Sequence, residues 1–254
     1  MKNLIKSLAI MLVVGFTNIT AYADTEKQTQ TSSVFTPQMP IEKVSKSLSS
    51  AERKVRNAAV KVVTSGGHGS GTVVSYKDLT VVFTARHVTN GRLGTEYLIS
   101  KDVEQRTGTL VYQSKEHDVA ILVVLNKFSY IKPMPWNPVT NYDIGTDIIY
   151  SGHPSWHKLM SFDGRIVGYE EVTGSGTQLI VNTYGWFGCS GSGVYNRKGQ
   201  LLGILYGVDV QYAFGNQKQI QESLIWVAPI KNIDMKSALS AFCRGTVENY
   251  KACR

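Results

Sequence analysis

Gly188-Cys189-Ser190-Gly191-Ser192-Gly193 is the stretch that decides how this 254-residue chain is read. A serine lies between glycines, after an apolar stretch and just before Val194-Tyr195. That pattern suits a nucleophile carried on a tight turn. Glycine permits positive φ and lets the backbone approach a ligand closely. Amides around such a turn can converge on one point and hold charge developing on an oxygen. Gly-x-Ser-Gly alone is a weak signal, because glycine and serine dominate turns of every kind. It gains force from what lies upstream.

Thr84-Ala85-Arg86-His87-Val88 ends an apolar run that begins at Leu79. His117-Asp118-Val119-Ala120-Ile121-Leu122 places an acid at the opening of another strand-like run. The order along the chain is His, Asp, Ser. On these residues the chain resembles the chymotrypsin-like (trypsin-fold) serine peptidases, and within them looks most like bacterial HtrA-like proteases and glutamyl endopeptidases. The resemblance covers roughly residues 55–232. It also takes in Gly69-Ser70-Gly71-Thr72-Val73-Val74, Gly152-His153-Pro154 and Leu202-Gly203-Ile204-Leu205-Tyr206-Gly207. It implies an all-β fold of two six-stranded antiparallel barrels, a first at about 55–135 and a second at about 140–232. Too little chain follows residue 232 for a PDZ-like domain.

The chemistry explains the residue types. A serine hydroxyl needs a base to take its proton as it attacks. Histidine suits that task because its pKa lies near neutrality. A carboxylate fixes the imidazole tautomer and stabilises the imidazolium that forms. The resemblance therefore implies His87 as general base, Asp118 as its orienting acid and Ser190 as nucleophile. The amides of Gly188 and Ser190 would form the oxyanion hole, and catalysis would run through an acyl-enzyme without cofactor or metal. Asp143 and Asp147 are rival acids but lie in the second half, away from the place the family's order requires. Cys189 fails as nucleophile, since the turn's register would then need glycine where Phe187 and Ser190 stand.

The chain departs from the family in three places. Arg86 replaces the small residue often found before the histidine, and Gly193 stands where many relatives have proline. Cys189 occupies the position at which digestive members carry an aspartate that binds a newly cut N-terminus. A thiol cannot make that ion pair, so activation by N-terminal insertion is not expected, and Cys189 is expected to remain a buried thiol. By resemblance the primary pocket is walled by Tyr184-Gly185-Trp186-Phe187 and by Leu205, Tyr206 and Gly207. No acid is evident at its base to select Arg or Lys, which leaves an apolar or small preference. Val208–Gln221 reads as a long loop bordering it.

The rest of the chain bounds the setting. Lys2 and Lys6, the apolar stretch from Leu8 to Phe16 and Ala21-Tyr22-Ala23 read as a secretory signal over 1–23, implying a secreted or periplasmic product. No later run is long and apolar enough for a spanning helix, so no stable membrane insertion is expected after signal cleavage. Residues 24–48, rich in Thr, Gln, Ser and Lys, read as a flexible leader. An apolar share of 43% suffices for a sizeable core over 49–254. The formal charge of +8 includes no basic run of the kind that marks a nucleic-acid surface, and protein or peptide substrates are the expected partners. Cys243 and Cys253 are candidates for a disulfide in an oxidising compartment. His153 and His157, four apart, would suit a metal on a helix, but Gly152, Pro154 and Ser155 argue for a loop. His68 and His117 are read as surface or rim residues.

Ser49-Ser50-Ala51-Glu52 is a capping box that predicts a short helix to about Asn57. Short β-branched runs predict strands near Val60–Val63, Val73–Val74, Leu79–Phe83, Tyr97–Ser100, Thr109–Tyr112 and Val119–Leu125. Pro133, Pro135 and Pro138 mark a crossover loop. Strands then follow near Asp147–Ser151, Ser161–Tyr169, Gln178–Thr183, Gly193–Asn196, Leu201–Tyr206 and Ser223–Ala228. Asn232 is a candidate cap for a last helix over 233–242. The same residues leave open a rival class, an inactive binding protein on this scaffold, since fold does not guarantee chemistry.

Overall fold

The computed structural model describes residues 47–212, 217–231, 233–245 and 250–254. The expected signal at 1–23 and nearly all of the expected leader lie outside the described residues, as does Asn232. The capping box forms: Glu52 N–H donates to Ser49 Oγ at 3.2 Å and Ser49 N–H to Glu52 Oε2 at 2.6 Å. Two amides that a helix start would leave bare are thereby satisfied. The resulting helix α1 (Ser50–Ala58) buries Val55 and Ala58 and feeds directly into β1.

The first barrel is built from β1 (Ala59–Thr64), β2 (Gly67–Tyr76), β3 (Leu79–Thr84), β4 (Glu96–Lys101), β5 (Glu104–Gln113) and β6 (Ala120–Val123). They run in the order β1-β4-β5-β6-β3-β2, and β1 pairs with β2 to close the ring. Residues 79–84 and 120–123 are buried throughout, as the unbroken apolar runs require of strands with both faces covered. The proline-rich crossover contributes one short element, β7 (Met134–Pro135), which pairs parallel to β2. Its place at a barrel margin is where a residue without an N–H can join a sheet.

The second barrel is closed in the order β10-β13-β12-β11-β8-β9. Its strands are β8 (Asp147–Gly152), β9 (Met160–Val172), β10 (Gly176–Asn182), β11 (Gly193–Asn196), β12 (Leu201–Tyr212) and β13 (Lys218–Pro229). Here the structure corrects the expected loop over 208–221. β12 and β13 continue as a hairpin, with Asp209 opposite Gln221 and Tyr212 opposite Lys218. Val208, Val210 and Tyr212 alternate with polar residues, but most of this ribbon is solvent-exposed, so no buried face marked it in the sequence.

Tyr195 packs with the first-barrel core, and its hydroxyl lies 2.8 Å from Thr72 Oγ1, tying the barrels together in the interior. The C-terminal helix is two short pieces, α2 (Met235–Ala238) and α3 (Ser240–Gly245), rather than one helix over 233–242. Asp234 supplies the cap expected of Asn232. Its carboxylate accepts the Lys236 and Ser237 amides at 3.2 Å each. The tail is secured twice. Cys243 and Cys253 form a disulfide, and Asp78, in the β2–β3 turn, accepts the amides of Lys251 at 2.7 Å and Ala252 at 3.0 Å.

Candidate active site

The register of β3 against β6 brings the first two site residues together. Thr84 lies opposite Ala120, so His87, three residues past one strand, meets Asp118, two residues before the other. His87 sits in a single 3-10 turn, Arg86–Val88. Asp118 Oδ2 lies 2.7 Å from His87 Nδ1, and Asp118 Oδ1 accepts the His87 backbone N–H at 2.9 Å. Both carboxylate oxygens are thus spent on one residue, which fixes the ring orientation and places the proton on Nδ1. The other ring nitrogen is left free to act as a base. The His87 side chain is 49% exposed, open to solvent on the side away from Asp118.

Burial is the largest influence on the Asp118 carboxyl and works to raise its pKa. The hydrogen bonds from His87, with the charges of His87 and Arg86, outweigh it and hold the carboxyl below the usual carboxylate range. The acid is therefore ionised at neutral pH. Arg86 itself donates to the Ser114 carbonyl at 2.9 Å, bracing the loop that carries Asp118.

Ser190 arrives from the second barrel on the turn between β10 and β11. Gly188 and Gly191 have φ of +93° and +98°, a region costly for any residue with a Cβ. At Gly191 a Cβ would also fall onto the Ser70 carbonyl oxygen. The turn's carbonyls are all spoken for. Phe187 O accepts Ser155 N–H at 2.6 Å, Gly188 O accepts Ser70 Oγ at 2.7 Å, Cys189 O accepts Ser192 N–H at 3.0 Å, and Ser190 O accepts Ser70 N–H at 2.7 Å. In a planar trans peptide the N–H points opposite to the C=O. The Gly188 and Ser190 amides therefore face away from these anchors, and among the described residues neither donates a hydrogen bond. Two unspent amides beside one hydroxyl form a ready site for a carbonyl oxygen gaining negative charge.

The two halves of the site meet at Gly69, where a Cβ would lie 2.9 Å from Ser190 O and against the Val88 side chain. Ser190 Oγ donates to Tyr206 O at 3.4 Å and makes no hydrogen bond to His87. Burial raises the Tyr206 phenol pKa most, and the charges of Asp118 and Glu170 add to the shift.

The remaining predicted residues spread over several roles. Tyr184 is 40% exposed, and its carbonyl accepts the Tyr150 hydroxyl. Leu205 turns its side chain into the second-barrel core, and only its backbone serves the turn, accepting Gly191 N–H at 2.7 Å. Gly207 sits at an irregularity in the pairing of β12 with β13. Gly185 backs onto two side chains from those strands. A Cβ there would collide with Ile225 Cγ2 and sit 3.1 Å from Val208 Cγ1. Cys189 is a buried free thiol, 3.9 Å from the Tyr150 hydroxyl, and burial pushes its pKa up.

Two histidines depart from expectation. His117 is buried, not at the rim, because the β9–β10 hairpin covers it and Gln178 Nε2 approaches its ring at 3.3 Å. His68 is half-buried in β2, and its Nε2 lies 3.1 Å from the His153 carbonyl, close under Gly188. Sequence reasoning gave no role to Ser70, His153 or Ser155. Ser70 and His153 lay within the Gly-Ser-Gly and Gly-His-Pro stretches, which were the available signal.

Two antiparallel β-barrels, with a His–Asp pair on one and a serine turn on the other, define the class of the trypsin-like peptidases. The chain belongs to that family: residues 69–204 match the trypsin-like peptidase domain. Among solved structures it is similar to the Rv3671c protease from M. tuberculosis. The active form is 18% identical, with 80% of this chain and 88% of that one covered and a TM-score of 0.58. The inactive form is 20% identical, with coverages of 71% and 87% and a TM-score of 0.55. The HtrA-type protease AlgW, solved with a tripeptide, is 18% identical with a TM-score of 0.57, covering 71% of this chain and 59% of AlgW. At these identities the likeness is one of fold. A search of curated protein sequences finds no match.

Proposed function

We propose that this chain is a serine endopeptidase acting through a Ser190–His87–Asp118 triad and an acyl-enzyme. The observation that carries the reading is the two-pronged His87–Asp118 contact beside a serine turn with two unspent amides. His87 accepts the Ser190 proton as Oγ attacks the substrate carbonyl. Asp118 steadies the imidazolium, and the Gly188 and Ser190 amides hold the oxyanion. His87 then protonates the leaving amine, and water repeats the sequence to free the acid. Side chains and amides supply every step, without cofactor or metal. The signal-like residues 1–23 support a secreted or periplasmic protein, and its substrates are proteins or peptides.

One observation favours the rival of a retired site used for binding: the Ser190 hydroxyl bonds Tyr206 O instead of His87. Catalytic hydrogen bonds are often loose before substrate binds, so this does not outweigh the intact set. A fluorophosphonate probe separates the two readings. The wild-type protein should be labelled at Ser190 and nowhere else. A folded protein that resists the probe would establish the rival.

The same reading carries a specificity. No acid stands among the residues that the resemblance places at the pocket walls, Tyr184-Gly185-Trp186-Phe187 and Leu205-Tyr206-Gly207, so an apolar or small residue should precede the cleaved bond. A peptide-library digest should show cleavage after residues of that kind. Cleavage by the wild-type protein after Arg or Lys would refute this.

A further inference from the structure

Glycine at position 188 creates a problem that the turn must solve elsewhere. The amide offered to the oxyanion belongs to the Phe187–Gly188 peptide. Glycine populates positive and negative φ about equally, so nothing intrinsic stops that peptide from rotating its N–H out of the cleft. The hold must come from outside the turn.

It comes from Ser70, in β2 of the first barrel. Ser70 is fully buried, and each of its polar atoms is committed. Its N–H donates to Ser190 O at 2.7 Å. Its hydroxyl donates to Gly188 O at 2.7 Å and accepts His153 N–H at 2.9 Å. Its carbonyl accepts Thr84 Oγ1 at 2.7 Å. The His153 contact matters because His153 leads into Ser155, whose N–H holds Phe187 O at 2.6 Å. The Ser70 hydroxyl therefore holds both peptides that flank the Gly188 Cα: the Gly188–Cys189 peptide directly, at Gly188 O, and the Phe187–Gly188 peptide, at Phe187 O, through the 153–155 strap. Thr84 anchors Ser70 to the strand that ends three residues before His87.

We infer that Ser70 is a positioning residue that sets the direction of the Gly188 amide and couples the oxyanion site to the strand carrying His87. The inference rests on the serine-peptidase reading. Ser70 touches no reacting atom and acts only through the peptides it holds.

The test is Ser70→Ala in the full chain, with each preparation titrated by a fluorophosphonate so that rates are expressed per active site. Loss of the hydroxyl leaves Gly188 O and His153 N–H without their partner. Then kcat per titrated site should fall by about 10²–10³-fold, the effect of losing one oxyanion donor, while KM stays within about threefold. The affinity of a peptide boronic acid, which mimics the tetrahedral state, should fall in step with kcat. A merely structural role would lower the titrated fraction and leave kcat per site and boronate affinity unchanged, and that result overturns the inference. Should Ser70→Ala fail to fold, Ser70→Cys carries the same measurement. Its thiol is a weaker donor of similar shape, and an intermediate loss in kcat is expected, whereas wild-type kcat again overturns it. Failure of the underlying reading looks different, because the wild-type protein itself would then neither label nor cleave.

Discussion

Ser190→Ala is expected to abolish peptide hydrolysis, lowering kcat by about 10⁴–10⁶-fold while the protein stays folded. The size follows from what the substitution removes. Without Oγ there is no acyl-enzyme, and the remaining route is direct attack by water. The Gly188 and Ser190 amides survive the change, because they belong to the backbone and their carbonyl anchors on Ser70, Ser155 and Ser192 are untouched. Some residual rate over water should therefore persist. The fold should hardly notice, since Oγ makes one long contact of 3.4 Å to Tyr206 O at a half-buried position. The measurement is kcat on a cleaved peptide beside a thermal melt. A variant that keeps more than a hundredth of wild-type kcat would remove Ser190 from the nucleophile's role.

How much of this was legible in the sequence depended on the range of the forces involved. Runs such as Leu79–Thr84 and Ala120–Val123 announced buried strands, because apolar continuity reports burial directly. The capping box announced α1, because its partners are three residues apart. His87, Asp118 and Ser190 were legible only jointly, through order and flanking glycines. Other features had no local signature. The distal part of the β12–β13 hairpin, beyond residue 207, is largely solvent-exposed, so the alternation of Val208, Val210 and Tyr212 with polar residues marks no buried face. The cap at Asp234 depends on its carboxylate reaching the Lys236 and Ser237 amides, which the identity of the residue alone did not announce. The burial of His117 depends on the β9–β10 hairpin, whose Gln178 lies 61 positions away. The part played by Ser70 is the clearest case. Its hydroxyl bonds residues 83 and 118 positions distant, and a serine between glycines gives no hint of such partners.

Asp118→Asn should lower kcat by about 10⁴-fold at neutral pH with KM little changed. The reasoning is one of donors and acceptors. Asp118 offers two acceptor oxygens, and His87 meets them with two donors, its backbone N–H at 2.9 Å and Nδ1–H at 2.7 Å. Asparagine has one acceptor and one NH₂. If its oxygen keeps the backbone N–H, its NH₂ faces Nδ1, which must then give up its proton and become the acceptor. The proton moves to Nε2, the nitrogen that has to take a proton from Ser190, and the base is lost without loss of geometry. The same change carries a second signature in stability. The Asp118 carboxyl is held below its ordinary value in the folded protein, so the ionised form contributes stability that is fully present above the usual carboxylate range. That contribution disappears as pH falls through the depressed folded value. The melting temperature of the wild-type protein should therefore exceed that of Asp118→Asn at neutral pH, and the gap should close as the solution is acidified below the usual carboxylate range. A variant that keeps a tenth of its kcat would show that the tautomer of His87 is set by something other than Asp118, and a gap that widens in acid would show that the carboxyl is not stabilised by the contacts it makes.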